Sequence, residues 1–185
     1  MSDGSIKDFE DALYLLDEEL QKTNHSCIVI KAIGGFAMLY HGLQDHGYTI
    51  DIDSLTTDFD DEVKYLISLV GNKNNLDSDW INTDCTMLEG MLNDLAPNIV
   101  WEKAIYDFKK IELYVADING LLRAKLKAIH DGGLVPRITD KKDVILILKL
   151  LDISCINEID ANSEMKYIKD DYSRAYDYLA SLKKW

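Results

Sequence analysis

The sequence predicts an α+β fold, in which a small mixed β-sheet is flanked by helices and is followed by a helical C-terminal third. Two patterns support this prediction. Residues 27–33 and 48–55 are rich in β-branched side chains or alternate between two faces, as strands do. Residues 5–23 and most residues after 118 place apolar side chains three and four positions apart, as amphipathic helices do. Strands before residue 116 and helices after it indicate an α+β arrangement.

The predicted elements of the first 116 residues are short. Apolar spacing predicts a first helix that ends before Asn24-His25, and Asp58 or Asp60 is the expected N-cap of a later one. In chain order, we expect a helix over 5–23, a strand over 27–33, a short helix over 36–42, a strand over 48–55, a helix over 58–70, a turn over 79–82, a helix over 85–95, and two strands near 99–101 and 110–115.

The remaining residues predict helices only. We expect them over 118–129, 140–152 and 162–185, with a break at Gly132-Gly133 and Pro136. The sequence therefore predicts an α/β core over residues 1–116 and a helical region over residues 117–185 that packs on this core.

The charge of the chain limits its partners. With 20 basic and 33 acidic residues, the net charge is −13. Phosphate backbones are bound by surfaces rich in lysine and arginine, so this composition argues against duplex DNA as a ligand. It leaves room for a local basic pocket or for a nucleotide bridged by a metal ion.

The distribution of apolar residues predicts a cytoplasmic protein without a membrane partner. No stretch approaches the roughly 18 consecutive apolar residues of a membrane helix. Residues 1–4 are polar, and no apolar signal region follows them. Cys27, Cys85 and Cys155 lie far apart and lack metal-ligand spacing, so we expect unpaired, buried thiols.

Two motifs between residues 28 and 55 indicate phosphoryl-transfer chemistry. A strand delivers Gly34-Gly35 to the start of a helix, where backbone N–H groups can approach a phosphate closely. About fifteen residues later, strand alternation places Thr49, Asp51 and Asp53 on one face. Two carboxylates in this arrangement can hold Mg²⁺, which bridges to nucleotide phosphates.

Taken together, these motifs resemble a known group of enzymes. Gly34-Gly35-Phe-Ala-Met-Leu39 followed by Thr49-Ile-Asp51-Ile-Asp53 resembles the signature of the polymerase-beta-like nucleotidyltransferase superfamily. The nearest members are small bacterial proteins related to abortive-infection nucleotidyltransferase toxins. Later segments extend the resemblance over residues 28–150 in the same order: Trp80-Ile-Asn82, Leu121–Ala128 and Arg137–Asp143.

The resemblance implies a nucleotidyltransferase-like fold and roles for individual residues. Gly34, Gly35 and Thr49 are implied to bind the nucleoside triphosphate, and Asp51 and Asp53 to be catalytic and to hold Mg²⁺. The implied reaction moves a nucleotidyl group from an NTP to a hydroxyl of RNA, a protein or a small molecule. The acidic charge argues against a long RNA acceptor.

Further residues are implied to complete the site. Lys125 is implied to face the phosphates, and Asp143 to position it or to help the acceptor. Active transferases of the superfamily usually add a third carboxylate from a later strand. Glu112 is the expected one, with Glu102 as the next choice.

Three departures from the family pattern keep other functions open, and the unassigned third carboxylate is one of them. Gly47 stands where the family often has an arginine, and Leu146 stands where relatives tend to carry a second aspartate. A nucleotide-binding protein without turnover is the first alternative. The second is an interaction protein, such as one half of a toxin–antitoxin pair, whose C-terminal helices dock an antitoxin or a second copy of the chain.

Each site residue also has a plain structural interpretation. Gly34-Gly35 can be a tight turn between a strand and a helix, and Asp51 and Asp53 can be a solvated strand face. Lys125 lies among other basic residues, as on a solvated helix face. Asp143 can complement the dipole at the start of a helix.

Overall fold

A computed structural model describes residues 4–43, 48–56, 58–132, 138–182 and 184–185. The chain divides into two compact units, Met1–Gly120 and Leu121–Trp185. The sequence predicts the boundary between the two units between residues 116 and 117, immediately before the helix in which the structure places it.

A five-stranded mixed sheet forms the centre of the first unit, as the α+β prediction requires. Its strands lie in the order β5-β4-β2-β7-β6. The central strand β2 pairs in parallel with β7 and antiparallel with β4, while β5 is parallel to β4 and β6 is antiparallel to β7. The strands are β2 (Ile28–Ile33), β4 (Ile52–Ser54), β5 (Ile81–Asn82), β6 (Trp101–Lys103) and β7 (Ile111–Ala116).

Three helices accompany this sheet, and each lies near its predicted position: α1 (Ile6–Lys22), α2 (Gly34–Tyr40) and α3 (Asp61–Lys73). Helix α1 begins with a capping box, in which the side chains of Ser5 and Asp8 bond to each other's backbone N–H groups. Asp60 caps α3 by accepting a hydrogen bond of 2.9 Å from the Val63 N–H. Local capping chemistry therefore sets where both helices start.

The two faces of the sheet differ in character. Seven apolar residues of one face are buried: Ile28, Ile30, Ala32, Ile52, Ile111, Leu113 and Val115. The pairing register puts eight partly or fully exposed residues on the other face: Val29, Lys31, Asp53, Asn82, Trp101, Lys103, Glu112 and Tyr114. We call this second face the polar face. It carries Asp53 but not Glu102, which lies on the opposite face.

The single strand predicted over residues 48–55 is wrong, because the structure contains two strands there. Residues 48–49 form β3 (Tyr48–Thr49), which pairs with β1 (Gly4–Ser5) in a separate two-stranded sheet. Ile50 lies in a bend and is 42% exposed, and Asp51 follows it outside both strands. Alternation in the sequence does not distinguish one strand from two that are joined by a bend and pair with different partners.

Residues 79–103 also differ from the prediction. Ile81–Asn82 is a strand rather than a turn, and β6 begins at Trp101 rather than near Ile99. The helix predicted over 85–95 is replaced by a 3₁₀ turn, a π-helical turn and a second 3₁₀ turn: Asp84–Met87, Met91–Leu95 and Ala96–Asn98. The Cys85 thiol anchors this segment by donating to the Ser54 carbonyl at 3.5 Å.

The second unit is helical, as predicted. Its helices are α4 (Ile118–Asp131, which begins in the first unit), α5 (Ile138–Leu150), α6 (Ile156–Ala161), α7 (Tyr167–Asp171) and α8 (Ser173–Ser181), with a 3₁₀ turn at Ser163–Met165. The sequence missed α6, and its single helix over 162–185 is wrong. Tyr172 interrupts that helix, because its backbone (φ −127°, ψ 51°) lies outside the helical region.

None of the helices within the described residues is long and apolar enough to cross a lipid bilayer.

The buried carboxylate of Asp17 ties α1 to the start of β7. Its oxygens accept hydrogen bonds from the backbone N–H groups of Lys109, Lys110 and Ile111, at 2.6–3.1 Å. The Gln21 amide adds a fourth donor at 2.8 Å. Since Asp17 is only 4% exposed, these donors replace the water that a free carboxylate would need. The contact fixes where β7 enters the sheet.

Replacing Asp17 should therefore destabilise the fold strongly. We expect Asp17→Ala to lower the free energy of unfolding by about 3 kcal/mol, because one buried and two partly buried N–H groups lose their acceptor. Asp11→Ala, at an exposed position of the same helix, should change it by less than about 0.5 kcal/mol. Urea denaturation of both variants measures the difference, and equal effects would contradict the role given to Asp17.

Candidate functional site

The carboxylate of Asp53 lies directly against the first residue of α2. Gly34 has a φ of +69°, and a Cβ atom placed on it would lie 2.6 Å from Asp53 Oδ2. The register explains this approach, because Asp53 pairs with Ile33, the last residue of β2. Gly35 follows in the first turn of α2. The structure thus brings together the glycine pair and one of the two predicted metal ligands.

Asn82 connects Asp51 to the strand that carries Asp53. Its Nδ2 donates to Asp51 Oδ2 at 3.0 Å, and its Oδ1 accepts from the Asp84 backbone N–H at 3.0 Å. Asn82 is also the register partner of Asp53 across β4 and β5. Thr49 reaches the backbone of Asp51, since its hydroxyl donates to the Asp51 carbonyl at 3.5 Å. One amide therefore orients Asp51 beside the strand that carries Asp53.

The surroundings of Asp51 are acidic and partly buried. Burial raises the pKa of Asp51, and the negative charges of Asp79, Asp77 and Asp84 raise it further. The Asn82 hydrogen bond acts in the opposite direction and lowers this pKa. A carboxylate in such a position gains from a neighbouring cation, because the cation relieves both the burial and the repulsion.

The Cys85 thiol lies in the same electrostatic environment. Burial, followed by the charge of Asp53, raises its pKa to about 12, with smaller contributions from Asp84 and Asp51. A pKa this high keeps the Cys85 thiol in its neutral form at physiological pH. The charges of all three aspartates therefore act on one buried thiol.

Asp51 and Asp53 can supply two oxygen ligands to a hard cation such as Mg²⁺. Within the described residues, no group of three or more histidine, cysteine, aspartate or glutamate side chains is arranged to hold a metal ion. Mg²⁺ is commonly held by one or two carboxylates, with substrate phosphates and water as the other ligands. The residues present fit that type of site better than a cage made of protein ligands alone.

Glu112 lies on the polar face but not beside Asp53. It pairs with Val29, four residues before Ile33, and β7 is the second strand from β4. Strand dimensions then put the two Cα atoms about 16 Å apart. Glu112 instead contacts Lys103, whose Nζ lies 3.6 Å from its carboxylate, and accepts from the Tyr114 hydroxyl at 3.5 Å.

Lys125 and Asp143 meet within the second unit. Lys125 Nζ lies 2.7 Å from Asp143 Oδ2 and 3.2 Å from Asp140 Oδ1. The three side chains are 12%, 14% and 3% exposed, so this is a largely buried cluster. The structure therefore joins the lysine to the aspartate that the resemblance paired with it, and it adds Asp140.

Asn82, Asp84, Cys85 and Asp140 were missed as members of these clusters. Trp80-Ile-Asn82 belongs to the resemblance, but the segment is predicted as a turn, so its position beside β4 is not expected.

Among the residues that mark departures from the family pattern, Leu146 lies half-buried on α5. Gly47 and Arg137 lie outside the described residues.

Comparisons of the chain with protein-family models, with curated proteins and with solved structures gave no match. What the site can do is therefore argued from its own residues.

The contact between Gly34 and Asp53 can be tested with a matched pair of glycines. Gly42 also has a φ of +69°, but a Cβ there would meet nothing within 4 Å. Gly42→Ala should cost about 1 kcal/mol of unfolding free energy from backbone strain alone. Gly34→Ala should cost about 3 kcal/mol, because strain and the clash with Asp53 add.

A second background isolates the clash. In an Asp53→Ala protein, the added cost of Gly34→Ala should fall to that of Gly42→Ala, because the carboxylate is gone. Thermal and urea unfolding give all these values. An unchanged cost of Gly34→Ala in the two backgrounds would show that the carboxylate does not press on Gly34.

The electrostatic role of Asn82 predicts a change at Asp51. In Asn82→Ala, the pKa of Asp51 should rise above its already raised wild-type value, because the carboxylate loses its amide donor. Asn93→Ala, at an exposed position, should leave it unchanged. A ¹³C titration of the side-chain carboxyl groups measures these pKa values, and no shift in Asn82→Ala would refute the role.

Proposed function

We propose that the chain has the nucleotidyltransferase-like fold and moves a nucleotidyl group from an NTP to a hydroxyl, with Mg²⁺ held by Asp51 and Asp53. The observation that carries this proposal is the contact of Asp53 with Gly34, beside an Asp51 that Asn82 orients. Glycine residues for the phosphates and carboxylates for the metal then lie within one small part of the first unit.

The residues divide the work of the reaction between them. Gly34 and Gly35 lack side chains, which lets triphosphate oxygens approach the backbone at the end of β2. Asp51 and Asp53 fix the position of the metal, and Asn82 fixes the orientation of Asp51. Mg²⁺ held there would neutralise charge on the transferred group, and the acceptor oxygen would displace pyrophosphate in line while the acceptor proton leaves to solvent.

Bulk properties of the chain support a proposal for the acceptor and for the cellular location. A net charge of −13 disfavours a long RNA and favours a protein or a small molecule as the acceptor. All three cysteines are free, which fits a reducing compartment and a cytoplasmic protein. The roles of Lys125 with the phosphates and of Asp143 beside it stay predictions from the family resemblance, as does an antitoxin partner.

A second candidate function is metal-dependent nucleotide binding without turnover. The position of Glu112 favours it, because this carboxylate lies two strands away from Asp53 and engages Lys103 and Tyr114. The β7 residues of the polar face nearest to Asp53 are Tyr114 and Ala116, and neither is acidic.

Calorimetric titration with each NTP tests the proposal. The wild-type protein should bind one or more NTPs in Mg²⁺ and not in excess chelator. Asp51→Ala/Asp53→Ala should weaken this binding by at least about a hundredfold, since both protein ligands of the metal are lost. Asp94→Ala, an exposed aspartate outside the site, should bind as the wild type does.

The outcomes separate the two candidate functions. Mg²⁺-dependent binding together with pyrophosphate release in the presence of an acceptor supports the transferase. Binding without pyrophosphate release across a broad panel of acceptors supports the nucleotide-binding protein. No NTP binding by the wild type would sink both.

A further inference from the structure

An open cavity of about 450 Å³ adjoins the polar face in the first unit. It lies at the N-terminal half of β2, where Val29 and Lys31 form part of its wall. Thr56 and Phe59 line it from the chain segment that leads into α3, and Val63 lines it from the first turn of α3. This volume is in the range of small-molecule sites, which are mostly apolar with a few polar groups.

The cavity is connected to the two carboxylates by β4 and the residues after it. Ser54 Oγ accepts from the Lys31 N–H at 3.1 Å, and the Leu55 N–H donates to the Lys31 carbonyl at 2.8 Å. Thr56 follows Asp53 by three residues, a path of about 10 Å in extended chain. Val29 and Lys31 also share the polar face with Asp53. A ligand whose phosphates lie at Asp53 can therefore extend into the cavity.

The charged residues around the cavity are mostly paired within the protein. Asp60 contacts His25, whose Nε2 lies 3.0 Å from its Oδ2, while His25 Nδ1 lies 2.8 Å from the Ser26 carbonyl. The pKa of His25 is raised, because both ring nitrogens face oxygen acceptors. Asp58 accepts from Lys64 Nζ at 2.6 Å.

Lys31 differs from these residues. Its Nζ lies 5.4 Å from the centroid of the Trp101 ring, and no carboxylate of the described residues forms an ion pair with it. In a chain with 33 acidic residues, an ammonium without a carboxylate partner is available to an anionic ligand.

We propose that this cavity is the nucleoside subsite of the nucleotide site, an assignment that rests on the proposed function. The base and sugar lie against Val29, Phe59 and Val63, and Lys31 contacts the phosphate nearest to the sugar. Val29, Val63 and the Phe59 ring suit a nucleobase, while His25, Asp58 and Asp60 supply the polar part of the lining. The Lys31 ammonium lies toward Trp101 on β6, on the side of β2 away from β4, and turns from that ring to contact the phosphate. The cavity therefore selects nucleotides over bare polyphosphate.

Binding of the nucleoside can be separated from binding of the phosphates by comparing two ligands in Mg²⁺. One is the NTP that the wild type binds most tightly, and the other is inorganic triphosphate. Val29→Trp fills the cavity from a position that is 38% exposed, so the core is not disturbed. It should weaken NTP binding by roughly tenfold or more and triphosphate binding by less than about twofold. Phe59→Ala, which removes the ring instead, should have the same selective effect. Val100→Trp, at a position 65% exposed and outside the cavity, is the control and should alter neither.

Each outcome decides one question. Unchanged NTP affinity in both Val29→Trp and Phe59→Ala overturns the cavity assignment and leaves the proposed function standing. An equal loss of NTP and triphosphate binding also overturns it, because the effect then concerns the phosphates. Failure of the wild type to bind any NTP overturns the proposed function and this assignment with it.

Discussion

The site depends on how closely Asp53 approaches Gly34. Antiparallel pairing of β4 with β2 places Asp53 across from Ile33, and the chain turns into α2 at the next residue. A residue without a Cβ atom is favoured there, because Gly34 has a left-handed backbone and the Asp53 carboxylate lies against it. The pairing of the two strands, the start of the helix and the position of the carboxylate are therefore one coupled arrangement.

The hydrogen bonds and ion pairs of the described aspartates distinguish those with a structural role from those that can bind a metal ion. Asp17 is saturated by three backbone N–H groups and one amide, and Asp140 and Asp143 share the ammonium of Lys125. Asp51 has the Asn82 amide as its side-chain donor and lies among further negative charges. Since an unneutralised, partly buried carboxylate is costly, a bound cation would stabilise Asp51 far more than Asp17.

Elements that are marked by local signals in the sequence are predicted better than those that depend on pairing with distant residues. Helices α1 and α3 follow from apolar spacing and capping residues, which act within a few positions of the chain. The prediction of a single strand over 48–55 is wrong because the two halves of this segment pair with different partners, Gly4–Ser5 and β2. The helix over 162–185 failed because Tyr172 leaves the helical conformation, although apolar spacing continues through it. The first failure reflects strand pairing with distant residues, which local patterns do not contain.

The same limit applies to the site. Gly34-Gly35 and the Asp-x-Asp pair are visible in the sequence, because their spacing carries the chemistry. Asn82 and Asp84 were missed, since they reach Asp51 only through the parallel pairing of β5 with β4. The distance between Glu112 and Asp53 depends on the order and register of three strands, which one sequence does not reveal.

The central claim is that a metal–nucleotide complex binds at Asp51 and Asp53. Crystals grown with Mn²⁺ and a non-hydrolysable NTP analogue test it most directly, because anomalous scattering locates the manganese. We expect an anomalous peak within coordination distance of both carboxylates, with the triphosphate at Gly34 and Gly35. Manganese and nucleotide bound elsewhere on the chain, with Asp51 and Asp53 still engaged only by protein groups, would contradict it.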